Sequence, residues 1–227
     1  MKEQIAPMDL KPMHLKFAIA LNALIVALEI WAIGNGIEQR GIIDFMFYTE
    51  LSNIFGGVAC ALCLVGEVRE LRGFGTCPRV FRLIKYAASC CLLMTFFVVV
   101  LVLMPTYNAA GYDGFHVMFC VRELPITHFG GPMLVLISYV LFEADRAMTF
   151  RKSMVSLLPT LAYAAVAYPC NIAGIWEGPY PFFLVWQMPV WLSIVWFIAL
   201  CALALGLAQI SRLVGKKLST GTCDWLL

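Results

Sequence analysis

The stretch Leu83–Met104, LIKYAASCCLLMTFFVVVLVLM, decides the fold. It carries a single charge, Lys85, close to its start. A helix needs roughly 20 apolar residues to cross about 30 Å of hydrocarbon, and this stretch has them. Five others resemble it: Leu15–Ile33, Phe45–Val65, Leu124–Phe142, Met154–Asn171 and Pro189–Ile210. The composition agrees. The chain of 227 residues is 62% hydrophobic and 13% charged, with a mean hydropathy of +0.85. Water-soluble domains are about 45–50% apolar and about 25% charged. In lipid the backbone must satisfy itself, and no stretch alternates with the period of a barrel strand. The expected fold class is therefore an all-α membrane protein, a six-transmembrane-helix bundle forming one integral membrane domain over residues 1–227.

The distribution of charge orients the bundle. Of the 16 Lys and Arg residues, only Arg40 and Arg122 fall in the loops on one side; the remaining 14 lie on the other, at the chain ends and around Arg69–Lys85 and Arg146–Lys152. Cationic loops stay on the cytoplasmic side, so both termini are expected to be cytoplasmic. The first helix is long for a signal sequence and no small-residue cleavage site follows it, so it reads as a retained anchor. In a bacterial cell the membrane would be the plasma membrane. Nothing in the sequence suits nucleic acid, and association as a homo-oligomer is left open.

The nine cysteines invite a metal or redox reading. Cys60 and Cys63 have the spacing of a metal or thiol pair, but no second pair or histidine lies nearby in sequence, so small buried hydrophobes fit better. Cys120 and Cys170 both fall near the outer side, and their pairing is left open. No metal or cofactor is expected. The segment Gly66–Phe81 reads as a charged loop. Pro105–Glu123 and Trp176–Pro181, with Tyr107, Tyr112, Phe115 and Tyr180, read as loops at the aromatic interface of the membrane.

Ionisable groups inside spans are costly and point to function. Three qualify: Glu29, Glu50 and His128. With the expected topology, Glu29, Thr49 and His128 fall at a common depth, roughly 6 Å below the outer boundary. On the second helix Thr49, Ser52, Asn53, Gly56, Gly57 and Cys60 form one small, polar stripe. Its lower part suits close helix packing. Its top carries a hydroxyl, Thr49, which is a weak nucleophile unless a base stands beside it. His128 is such a base at the right depth. Glu29, Glu50 or Asn53 could orient the imidazole, and Asn53, Tyr48 or Tyr168 could donate to an oxyanion.

The segments FYTELSNIF (Phe47–Phe55) and THFGGP (Thr127–Pro132) resemble a pair of motifs in the androgen-induced protein and androgen-dependent TFPI-regulating protein family and its bacterial six-helix relatives. The matching residues are Thr49, His128 and Pro132, and Pro169 and the GPYP stretch at Gly178–Pro181 also look like the bacterial members. The resemblance implies an intramembrane threonine hydrolase of fatty acid esters of hydroxy fatty acids. Thr49 would form an acyl-threonine, and His128 would act first as base and then as acid. Glu50 and Asn53 depart from the animal branch, which leaves the substrate open between these esters and similar amphiphilic ones. The partners so implied are a lipid substrate and the surrounding membrane lipids. The competing expectation is a non-catalytic channel, carrier or sensor with a polar path through Glu29, Glu50 and His128.

Overall fold

A computed structural model describes residues 10–176 and 180–224, with side chains for residues 12–176 and 180–218. Lys2 and the Gly178–Pro179 half of the GPYP stretch lie outside the described residues. The fold is all-helical, with 85% of residues in helices and no strand among the described residues. Six helices are long and apolar enough to cross a membrane: α1 Pro12–Met46, α2 Tyr48–Leu71, α3 Arg79–Ala109, α4 Ile126–Glu143, α5 Phe150–Ile172 and α6 Val190–Leu218. The start of α1 and the end of α6 share one face of the bundle with the α2–α3 and α4–α5 connections. That is called the terminal face below, and the opposite one the distal face.

The expected spans overlap these helices, but several ends run further. Hydropathy ends the first span at Ile33, yet the helix continues because polar side chains support it. Asn35 donates to the Trp31 carbonyl at 2.8 Å and Gln39 to the Asn35 carbonyl at 3.1 Å. Arg40 then pairs with Asp44 across the tighter turn Gly41–Met46. The segment Pro105–Glu123, expected as a loop, is largely helical. Helix α3 passes through a π turn at Val99–Leu103 and reaches Ala109. A short helix, Gly114–Phe119, follows, capped by Asp113, whose carboxylate accepts the His116 N–H at 3.0 Å.

Helix α3 is the most enclosed span and α6 the least, with 61% and 11% of their apolar windows buried. The small stripe on α2 explains part of that packing. A Cβ on Gly56 would lie 2.7 Å from Leu92 Cδ1, and one on Gly57 would lie 3.3 Å from Glu29 Cβ. Gly56 thus admits α3 and Gly57 admits α1. Ile25, Cys60, Leu92 and Val135, one from each of the first four spans, pack into one apolar layer among those helices.

On the terminal side of that layer lies a closed polar cluster. Lys85, read from sequence among the loop cations, is fully buried. Its ammonium donates to Asn22 Oδ1 at 2.5 Å, Ser138 Oγ at 2.6 Å and Glu143 Oε1 at 2.7 Å. The Asn22 amide donates to Glu67 at 3.0 Å and Glu143 at 2.9 Å. Charges in a low-dielectric interior persist only when paired and hydrogen-bonded, and here each group has a partner. Cys60 and Cys63 are buried and free, as expected of small hydrophobes, and Cys120 and Cys170 form no disulfide.

Candidate functional site

The distal side is built differently. Thr49 stands in the first turn of α2, after Phe47 breaks the helix with an extended backbone. It is 6% exposed. Its carbonyl accepts Ser52 Oγ at 2.8 Å and Asn53 Nδ2 at 2.7 Å, while its N–H donates to Tyr180 OH at 3.4 Å. Phe47 supplies no side-chain cap, so the start of α2 keeps backbone N–H groups aimed outward, where partial positive charge collects.

Thr49 lines an apolar cavity of about 140 Å³ between α2, α3, α5 and α6. Its polar fringe is Thr49, Thr95, Tyr48, Thr160, Tyr168 and Tyr180. Ser52 and Thr95 share a hydrogen bond of 2.8 Å, and Tyr48 and Thr160 one of 2.7 Å. Tyr48 is thereby tied to α5. Tyr168 stands against Phe183 and Phe197, and its buried hydroxyl has no partner. A wider cleft of about 670 Å³ between α5 and α6 shares Leu161, Ala164, Tyr168 and Phe197 with the cavity wall.

Tyr180, expected at the membrane interface, is instead buried. It stacks on Phe182 with ring centroids 5.2 Å apart and sets its hydroxyl against Thr49. Burial pushes that phenol above its ordinary range, so it is a neutral hydroxyl at physiological pH. Its motif is visible in the sequence; its reach to Thr49 is not, because 131 residues separate them.

His128 lies in a π turn, Ile126–Gly130, at the start of α4. The cause is local. Gly131 N–H bonds back to the Ile126 carbonyl, and Pro132 has no N–H to offer. The Thr127 carbonyl is thereby left for a side chain, and Asn53 Nδ2 takes it at 3.1 Å. Asn53 thus donates to the carbonyls of both Thr49 and Thr127 and joins the turns that carry the two candidate residues. Both its amide hydrogens are used, which removes it as an oxyanion donor.

His128 Nδ1 is 2.8 Å from the Met118 carbonyl on the short helix Gly114–Phe119. A carbonyl only accepts, so Nδ1 carries the proton and Nε2 keeps its lone pair. None of Glu29, Glu50 and Asn53 orients the ring; the backbone of Met118 does. A backbone carbonyl leaves no signal in a sequence. Thr49 and His128 share no hydrogen bond, and His128 does not line the cavity.

Glu50 is buried and bonds Arg40 at 3.3 Å. Arg40, read as a loop cation, also pairs with Asp44 and with Glu123 at 3.1 Å. Burial raises the Glu123 carboxyl, but hydrogen bonds from the backbone, Gln39 and Arg40 outweigh it and hold Glu123 below the usual range. Glu29, 1% exposed, has no hydrogen-bond partner on either carboxylate oxygen.

Among the described residues no group of three or more His, Cys, Asp and Glu side chains is placed to hold a metal ion. Comparison with family models, curated proteins and solved structures finds no match, so nothing in it identifies the family suggested by the Thr49 and His128 motifs.

Proposed function

We propose that the protein is an intramembrane lipid ester hydrolase with Thr49 as nucleophile and His128 as base. The observation that carries the reading is that Thr49, with the Tyr180 hydroxyl against it, lines an apolar cavity inside the bundle. An acyl chain fits such a space, and its carbonyl would then lie at the start of α2. The neutral Tyr180 hydroxyl, which accepts the Thr49 N–H, keeps its own proton as a donor for the charge that develops on that oxygen. The cleft between α5 and α6 gives a lateral route for a tail from the bilayer.

The chemistry runs in two steps. Thr49 Oγ1 attacks the ester carbonyl, its proton goes to His128 Nε2, and the alcohol leaves with a proton returned by the imidazolium. Water then attacks the acyl-threonine, again through His128, and releases a fatty acid. Closure of the Thr49 to His128 gap, directly or through a water, accompanies substrate binding, since apo pairs are commonly looser than working ones. The substrate class is fatty acid esters of hydroxy fatty acids or similar amphiphilic esters. We place both termini in the cytoplasm by the cationic terminal face, so the site opens toward the outer leaflet.

The test uses purified protein in detergent. Wild type is expected to hydrolyse such esters and to take a fluorophosphonate label on Thr49. Thr49→Ala should lose labelling and turnover, and His128→Ala should lose turnover by about 100-fold or more. Full activity in either variant overturns the assignment. The second reading, a polar channel, has to contend with the layer of Ile25, Cys60, Leu92 and Val135 that separates the distal and terminal polar groups.

A further inference from the structure

The distal polar groups are rich in acceptors and short of donors. Glu29 Oε1 and Oε2, Asn53 Oδ1 and Thr127 Oγ1 are all buried without a hydrogen-bond partner. Glu29, Asn53 and Thr127 are each 0–1% exposed. The first three of those atoms can only accept unless a proton is added. They also converge. A Cβ on Gly131 would stand 3.1 Å from Asn53 Oδ1 and would collide with Glu29 Oε1. Glu29 itself is seated between the two glycines Gly57 of α2 and Gly131 of α4. Thr127 lies one turn before Gly131 on the same helix. Helices α1 and α2 thus bring two unpartnered acceptor oxygens to one buried point beside Gly131 of α4, where no side chain grows from the backbone.

What suits that point is a cation or a hydrogen donor, because an unpaired carboxylate is strongly disfavoured in a low-dielectric interior. The ligand set selects among cations. It has one carboxylate and one amide oxygen, both hard oxygen ligands, and no nitrogen or sulfur. One negative charge balances one positive charge. Arg40, the cation of this region, is already engaged by Asp44, Glu50 and Glu123.

The geometry points to a binding site for a small monovalent cation of the sodium class, held by Glu29 and Asn53 beside Gly131. The site pins α1 to the turns of α2 and α4 that carry Thr49 and His128. It stands independently of the hydrolase reading, since the unpartnered oxygens call for a positive charge whatever the protein catalyses.

The experiment follows thermal unfolding of the purified full chain in detergent by tryptophan fluorescence. Sodium chloride is titrated against choline chloride at constant ionic strength and alkaline pH, where protons compete least. The wild-type midpoint is expected to rise saturably with sodium and not with choline. Glu29→Gln and Gly131→Ala should each abolish the sodium-specific rise, while Glu38→Gln, at an exposed carboxylate of the same helix, should keep it. An identical wild-type midpoint in sodium and choline at every concentration overturns the site and assigns the unpartnered oxygens to a proton or water. A sodium rise that survives in folded Glu29→Gln overturns it as well. The first of these outcomes is read on wild type alone, so poor folding of a variant does not shelter the proposal. Ester hydrolysis measured in the same samples keeps failure of this site distinct from failure of the hydrolase reading.

Discussion

Two buried polar clusters lie on either side of the same apolar layer, and they differ in completeness. On the terminal side Lys85, Asn22, Glu67, Glu143 and Ser138 satisfy one another, and none of them has an orphaned side-chain atom. On the distal side Glu29, Glu50, Asn53, Asp44 and Thr127 each leave at least one buried oxygen without a donor. A complete network is what a structural clamp requires. An incomplete one of acceptors, next to a cavity headed by a threonine, is what a ligand-binding region presents. Burial of charge alone therefore does not separate the two regions; the supply of hydrogen-bond partners does.

The largest way to break the comparison is at Lys85. Lys85→Met strands Glu143 and Glu67 in the interior, and unfolding in detergent should show a loss of about 3–5 kcal/mol. On the distal side the matching change, Glu29→Gln, should be neutral or stabilising in sodium-free medium, because it removes an unpaired charge. A large loss there would erase the distinction between the clusters. Next is Asn53→Leu, which strips the Thr49 and Thr127 carbonyls of a shared donor. It should cost about 1–3 kcal/mol and lower turnover further than the stability loss explains. Gly56→Ala meets Leu92 and should destabilise by about 1–3 kcal/mol. Tyr180→Phe takes the acceptor from the Thr49 N–H, so it should cost about 0.5–1.5 kcal/mol and slow ester turnover by more than that loss explains. The smallest effect is at Gly34, where a Cβ meets nothing within 4 Å; Gly34→Ala should be neutral or stabilising by at most about 1 kcal/mol.

Much of the architecture is legible in the sequence because lipid imposes a one-dimensional rule. Length and hydropathy locate all six spans, and the glycines of the α2 stripe announce close packing. The same rule misreads Lys85 and Arg40. Hydropathy scores each residue alone, so a cation near a span end counts as a loop charge even when carboxylates from other helices surround it. Glu29 is legible as an anomaly. Its seat between Gly57 and Gly131 is not, because it takes three helices to make. The orienting group for His128 escapes for a simpler reason: it is the backbone of Met118, which any residue there would supply. Pro132 is visible, but its effect emerges only with the helix in view. With no N–H at that position and Gly131 bonded to Ile126, the Thr127 carbonyl turns to Asn53.

The apolar cluster of Ile25, Cys60, Leu92 and Val135 has one further consequence. It takes one side chain from each of the first four spans, so a smaller side chain at any one of these positions leaves a gap that the other three helices share.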